Sequence, residues 1–280
     1  MAVCSVRRAV AITTAVVPVA GLATRLRPLS RGVPKALLPV AGRPVIAHIV
    51  DELAACGFER VVLVTGRGRA GFAAHFAEAQ GPEIVCLEQP KPLGLGDAIL
   101  GHGEPVRVLE RLAEAVRQGA SVAIAVEEVA AADTVRYGIV APAGEHGSRG
   151  AGEPGVAAGA GPPDGPADAR DPFAIAGVVE KPAPENAPSR LAVAGRYVAT
   201  PALLDALRAT PLGAGGELLL ADALATLDGV VGVRLAHGEE RFDVGTVPGY
   251  CAAFLDHALN DPVLGPGLRA KARALLDGER

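Results

Sequence analysis

An α/β fold with a doubly wound, mostly parallel central sheet follows from three features of this sequence. The first is a set of short apolar runs rich in β-branched residues, at 13–19 (TTAVVPV), 60–65 (RVVLVT), 83–87 (EIVCL) and 120–127 (ASVAIAVE). Runs of this kind mark strands covered on both faces. The second is the alternation of those runs with helical-period segments, 45–56 (closed by Gly57) and 72–79. Strand–helix–strand alternation gives parallel pairing through crossover connections. The third is size: 280 residues at 50% hydrophobic can build one large core with a smaller lobe.

Composition removes several classes of function. The net charge of −4 supplies no general basic field for nucleic acid. Aromatic content is 3% with no Trp, so the stacking platforms of single-strand binders are missing. Cys4, Cys56, Cys86 and Cys251 show no C-x-x-C spacing and lie mostly in apolar runs, as reduced core residues of a cytoplasmic protein would. Arg7 and Arg8 precede an apolar stretch that superficially resembles a signal peptide. Pro18 interrupts it and it flows into the phosphate-loop motif below, so no cleaved leader is expected. No run of 18 apolar residues occurs, and no membrane span is expected. Of 27 basic residues only Lys35, Lys91, Lys181 and Lys271 are lysines, and the first three fall in motifs.

The first strand runs into Ala20-Gly21-Leu22-Ala23-Thr24-Arg25. Small residues there let backbone N–H groups approach a ligand closely, and Thr24, Arg25 and Arg27 follow as donors. Lys35 comes about ten residues beyond Arg25, on a path stiffened by Pro28, Pro34 and Pro39. A small-residue turn followed by a fixed Arg and Lys suits a polyphosphate. The whole stretch 15–44 resembles the signature G-x-G-T-R-x-x-P…P-K…L-P of the sugar-nucleotide pyrophosphorylases. Within them it is similar to the bacterial UTP–glucose-1-phosphate uridylyltransferases, which share V-P-V-A-G-L. Ala23 stands where the family has its second glycine, and a methyl is tolerated there only at negative φ.

That resemblance implies the three-layer α/β/α, Rossmann-like fold of the nucleotide-diphospho-sugar transferases, with a small mixed-sheet sugar-binding lobe. It divides a single domain into a nucleotide-binding core (13–128), a sugar-binding half (129–248) and C-terminal helices (249–280). Ala20, Gly21 and Leu22 would line the nucleotide, with Arg25 and Lys35 as catalytic cations. Gln89 and Gly94 match the family's base-reading Q-x-x-x-K-G-L-G-H-A, although Leu93 and Asp97 replace its Lys and His. A Gln amide offers both donors and an acceptor, enough to pair with a uracil edge.

One segment departs from the family. Relatives continue into a strand, E-P-F-A-V-L-L-P-D-D, whose aspartate holds the catalytic Mg²⁺. Here no Asp occurs between Asp97 and Asp133. Residues 105–109 are either a shortened strand or already helix. The strand is the favoured reading, because omitting it would leave neighbouring ladder groups unpaired. Glu110 is the only acid at about the right place, and a weak substitute.

Arg136-Tyr137-Gly138-Ile139-Val140 matches the family's R-Y-G-I-V. Residues 141–172, mostly Gly, Ala, Pro and Asp, are a low-complexity insertion expected to be mobile between the strands of a hairpin. In the family's V-E-K-P, matched by 179–182, Glu180 would meet sugar hydroxyls and the catalytic Lys181 the sugar phosphate, from opposite strand faces. Gly195 and Glu217 match two further sugar-binding motifs. Asp243, in R-F-D-V-G-T, matches the second metal ligand. His48 and His75 lie on helical faces as packing or surface residues. The implied reaction joins UTP and glucose 1-phosphate to give UDP-glucose and pyrophosphate, with Mg²⁺ and a homodimer or homotetramer. The alternative is a weak or inactive paralogue that binds UDP-sugar or an active homologue and regulates it. A nicotinamide-linked enzyme is disfavoured, since no G-x-G-x-x-G follows the first strand.

Overall fold

The structure, a computed structural model, describes residues 12–20, 24–27, 29–30, 33–66, 69–89, 100–102, 105–144, 171–213, 216 and 218–278. In chain order the first elements are β1 (Thr14–Pro18), β2 (Pro39–Val40), β3 (Arg43–Pro44), α1 (Val45–Ala55), β4 (Arg60–Thr65), α2 (Arg69–His75), β5 (Glu83–Glu88) and β6 (Leu100–His102). They continue with α3 (Pro105–Arg117), β7 (Val122–Glu128), β8 (Gly138–Pro142), β9 (Phe173–Glu180) and β10 (Leu191–Ala199). The last are α4 (Ala202–Ala209), α5 (Leu220–Ala225), β11 (Val230–Arg234), β12 (Glu240–Phe242), α6 (Val247–Asn260) and α7 (Gly265–Leu276). Two compact units contain them. One holds β1 to β6, α1, α2, β12, α6 and α7; the other holds α3 from Arg107 onward, β7 to β11, α4 and α5.

The first unit carries the expected parallel sheet, in the order β1-β4-β5. Register is continuous, from Thr14 opposite Arg60 to Thr65 opposite Glu88. Val61, Leu63 and Thr65 form its fully buried row. Helix α1 buries Val45, Ile46, Ile49, Val50 and Leu53, the stripe that a 3.6-residue period dictates. It ends as predicted at Gly57, whose φ of +79° only glycine adopts cheaply, with Phe58 N–H donating to Leu53 O at 3.1 Å. Helix α2 lies earlier than the expected 72–79. Phe72, fully buried, anchors its middle, while beyond His75 only Phe76 is shielded and the chain loosens into turns.

The second unit is a mixed sheet closed into a five-stranded barrel, in the order β10-β7-β11-β9-β8. Strand β7 is its axis: Val122 to Val126 are fully buried, pairing parallel with β11 and antiparallel with β10. Ala192 opposite Ile139 closes the ring. Val122, Ile124, Val126, Val140, Ile175, Leu191, Leu224 and Val230 form the core. Strands β8 and β9 are the antiparallel arms expected around the insertion; residues 145–170 of that insertion lie outside the described residues.

Two expectations are corrected here. Residues 105–109 are not a shortened strand. Pro105 opens α3, where its missing N–H costs nothing. Val108, Leu109, Leu112, Ala113 and Val116 then give the helix an apolar stripe, with Glu110 and Glu114 outside. The short strand in this region is β6, antiparallel to β12 with Leu100 opposite Phe242. Among the described residues, Cys56, Cys86 and Cys251 form no disulfide and are not core residues; Cys4 lies outside the described residues. Cys56 and Cys86 are half-buried, at a helix end and on the outer strand of the parallel sheet, and Cys251 is exposed on α6. No described helix is long and apolar enough to cross a membrane.

Candidate active site

In the first unit, strand β1 delivers the chain to the cradle. Val19 N–H still donates to Val64 O at 2.8 Å, and Ala20 lies against Gly66, where a side chain would come within 3.4 Å of Ala20 O. Gly21, Leu22 and Ala23 lie outside the described residues. A 3₁₀ turn at Thr24–Leu26 follows, with Leu26 fully buried and Arg25 exposed. A second 3₁₀ turn, Lys35–Leu37, is set up by Pro34 at ψ 137° and closed by Leu37 N–H donating to Pro34 O at 2.9 Å. It buries Lys35 to 4% exposure. Lysines are almost never buried so deeply without a charge partner.

The acidic member comes from the far end of the chain. Past β12, Asp243 Oδ1 accepts the Gly245 N–H at 2.9 Å, and Thr246 caps α6 by accepting from Gly249 N–H at 3.3 Å. Three side chains converge on Gly245. The point its Cβ would occupy lies 2.8 Å from Asp243 Oδ1, 3.4 Å from Arg25 Nη2 and 3.8 Å from Lys35 Nζ. The Asp243 carboxylate beside the two cations offsets part of the cost of burying Lys35, in a pocket that holds two cationic groups. An oxyanion with several acceptor oxygens suits such a pocket.

Gln89 follows β5, and its N–H donates to Thr65 O at 2.7 Å, which fixes its backbone at the carboxyl end of the parallel sheet. Ligands of open α/β sheets bind beyond that end. Gly94 lies outside the described residues.

In the second unit, Glu180 ends β9 opposite Gly138, whose missing side chain leaves space that would come within 3.3 Å of Glu180 Oε2. Lys181 does not stand on the opposite strand face. The strand stops at Glu180, and Lys181 adopts φ +49° with its N–H on Tyr137 O at 3.0 Å. That turn brings Lys181 Nζ to 2.9 Å from Glu180 Oε1. The pair is solvent-exposed, so it adds little stability and exchanges readily for a stronger anion. A left-handed lysine costs on the order of 1–2 kcal/mol, a strain that tends to persist at functional sites. Tyr197 adds a donor: burial, and then the Glu180 charge, push its phenol well above 10, so it stays protonated. Gly195, at φ +75°, sits in the β10 irregularity between Val193 and Tyr197. Glu217 lies outside the described residues.

Among the described residues no three His, Cys, Asp or Glu side chains gather as a metal cage. Mg²⁺ seldom needs one: it binds one or two carboxylates and completes its octahedron with water and phosphate oxygens. Asp243, beside the two cations, fits as such a single carboxylate. Glu110 is an exposed residue of α3 rather than a strand-end ligand.

Sequence reasoning missed three residues here. Gly245 makes the room in which the charges meet. Gly249 must lack a side chain, since a Cβ would stand 2.1 Å from Asp243 O. The Tyr250 hydroxyl donates to Pro39 O. The G-T-x-x-G-Y string after Asp243 could have pointed to the helix start, but not to these contacts.

Comparison with known proteins bears directly on this arrangement. Residues 14–106, which hold the whole parallel sheet and both 3₁₀ turns, match the family described as Nucleotidyl transferase. A UTP–glucose-1-phosphate uridylyltransferase of Staphylococcus saprophyticus is 30% identical across 89% of this chain and 93% of the relative. A UDP-glucose pyrophosphorylase from Acinetobacter baumannii, 29% identical, superposes with a TM-score of 0.76 over 95% of this chain and all of that one. A UTP-bound structure of an enzyme from the same organism, 27% identical, gives a TM-score of 0.71. Both compact units are therefore shared with these relatives, and the chain belongs to the nucleotidyl transferase family of UTP–glucose-1-phosphate uridylyltransferases.

Proposed function

We propose that this protein transfers a uridylyl group from UTP to glucose 1-phosphate, giving UDP-glucose and pyrophosphate. The observation that carries the reading is the meeting of Arg25, Lys35 and Asp243 at Gly245 in a chain of this family. In this reading Arg25 and Lys35 receive the triphosphate, and the turns after β1 present backbone N–H groups to it. Gln89 reads the pyrimidine edge, with Ala20, Gly21, Leu22 and Gly94 lining the nucleotide. Lys181 leaves Glu180 for the sugar phosphate, while Glu180, Glu217 and the space at Gly195 take the hexose. A sugar-phosphate oxygen attacks the α-phosphorus in line, that bond forms as the bond to pyrophosphate breaks, and no covalent enzyme intermediate is needed. Alignment and charge neutralisation supply the rate. Asp243 would hold Mg²⁺, which when bound neutralises phosphate oxygens.

Exposed apolar residues on α6 and α7, among them Phe254, Leu255, Leu268 and Leu275, support a homodimer or homotetramer. A second reading, a weak or inactive regulatory paralogue, is favoured by one observation. Pro105–Arg117 is helix where the family resemblance implies a strand ending in a metal-binding aspartate. Pyrophosphate release from UTP, glucose 1-phosphate and Mg²⁺ decides between them. Turnover in the usual enzyme range of about 1–1000 per second supports the first reading. UDP-glucose binding without turnover supports the second.

A further inference from the structure

We infer that Tyr250 is a positioning residue for the transfer: its hydroxyl braces the segment carrying Lys35 against the helix whose start carries Asp243. The inference rests on the reading of Lys35 as a phosphate-binding cation.

Lys35 stands on a single 3₁₀ turn, a short element whose hydrogen bonds alone do not hold it rigidly. Four residues on, Pro39 begins β2, a two-residue strand that among the described residues pairs only with β3. Such a hairpin is marginal by itself and needs anchoring. Two side chains anchor it from different helices. His48 of α1 has Nε2 3.0 Å from Val40 O. The Tyr250 hydroxyl of α6 donates to the neighbouring carbonyl, Pro39 O. Tyr250 lies in the first turn of α6, its N–H bonded to Thr246 O at 2.9 Å, and Thr246 is the cap that follows Asp243-Val244-Gly245. The hydroxyl is thus a side-chain tie between the strand after Lys35 and the helix after Asp243, the two residues that meet at Gly245. A 1 Å drift between reacting groups is enough to slow an enzyme severely. Burial raises the Tyr250 phenol above 10, so the donor persists at neutral pH.

The test is Tyr250→Phe, which removes the hydroxyl and keeps the ring. Initial rates of pyrophosphate release and thermal melting are measured for the full chain and for Lys35→Ala, Tyr250→Phe and the double variant. Tyr250→Phe is expected to melt within a few degrees of the parent and to lower kcat about tenfold, with KM for both substrates changed less than threefold. In the Lys35→Ala background the same change is expected to cost less than twofold, because the tie acts through Lys35. An unchanged kcat in Tyr250→Phe overturns the inference. So does a loss that multiplies with that of Lys35→Ala, which would mark a general structural role. If Lys35→Ala itself leaves kinetics untouched, the cradle reading fails, and the inference with it.

Discussion

Gly245 and Gly249 are four residues apart and both exclude side chains, for different reasons. At Gly245 the nearest obstacle is the side-chain carboxylate of Asp243, a terminal group that can swing away. Gly245→Ala should therefore fold, losing the 2.9 Å N–H···Oδ1 bond at a cost of about 0.5–1.5 kcal/mol. Its damage should fall on the site, since the displaced carboxylate no longer sets the spacing of Arg25 and Lys35. At Gly249 the obstacle is backbone, Asp243 O at 2.1 Å, which can move only if the start of α6 moves. Gly249→Ala should destabilise by several kcal/mol, in the upper tail of single substitutions. Melting curves and UTP titrations on both variants check the pair. Gly245→Ala should separate binding from stability, and Gly249→Ala should lose both together.

Elements were legible in the sequence where burial was periodic, and illegible where a local stop signal competed with it. Strands β4 and β5, helix α1 and its Gly57 stop follow from apolar period and one glycine. Segment 105–109, expected as a shortened strand so that neighbouring ladder groups stay paired, is instead the start of a helix that Pro105 opens. Lys181 was misplaced because strand alternation fails once φ turns positive, and nothing in V-E-K-P announces that turn. Arg25, Lys35 and Asp243 were named from motifs, but their meeting at Gly245 depends on tertiary packing. The joint between α6 and α7 carries its own prediction. Asp261 Oδ1 accepts the Val263 and Leu264 N–H groups at 2.8 and 2.7 Å. The Leu264 bond, then the Val263 bond, hold its carboxyl below its ordinary value of about 3.8. A lowered folded-state pKa gives stability that is present above about 3.8 and fades as pH falls through the lower native value. Asp261→Ala should then melt earlier than the parent at pH 7, with the gap closing toward pH 2. A gap that stays constant with pH would show that the joint does not depend on this charge.

At the scale of the whole molecule, the proposed reaction divides its substrate contacts between the two compact units. The unit with the parallel sheet gathers two cations and one carboxylate around a glycine, a match for a triphosphate. The barrel unit carries Glu180 with Lys181 held beside it and the protonated phenol of Tyr197, a set that in the proposed reaction would meet the sugar phosphate. Ligand contacts made by one unit should appear in the Michaelis constant of one substrate only, provided both variants keep their fold. Lys35→Ala should raise KM for UTP, or lower kcat, by about 10- to 100-fold, the equivalent of roughly 1.5–3 kcal/mol for a lost charge-assisted contact. It should leave KM for glucose 1-phosphate nearly unchanged. Glu180→Gln keeps the shape of β9 while removing the charge that Lys181 pairs with and that raises the Tyr197 phenol. It should raise KM for glucose 1-phosphate by a similar factor and spare KM for UTP. Steady-state kinetics with each substrate varied at saturating levels of the other measure all four constants. If both substitutions shifted the same substrate's constant, the division of nucleotide and sugar between the units would be wrong, whichever reaction the protein performs.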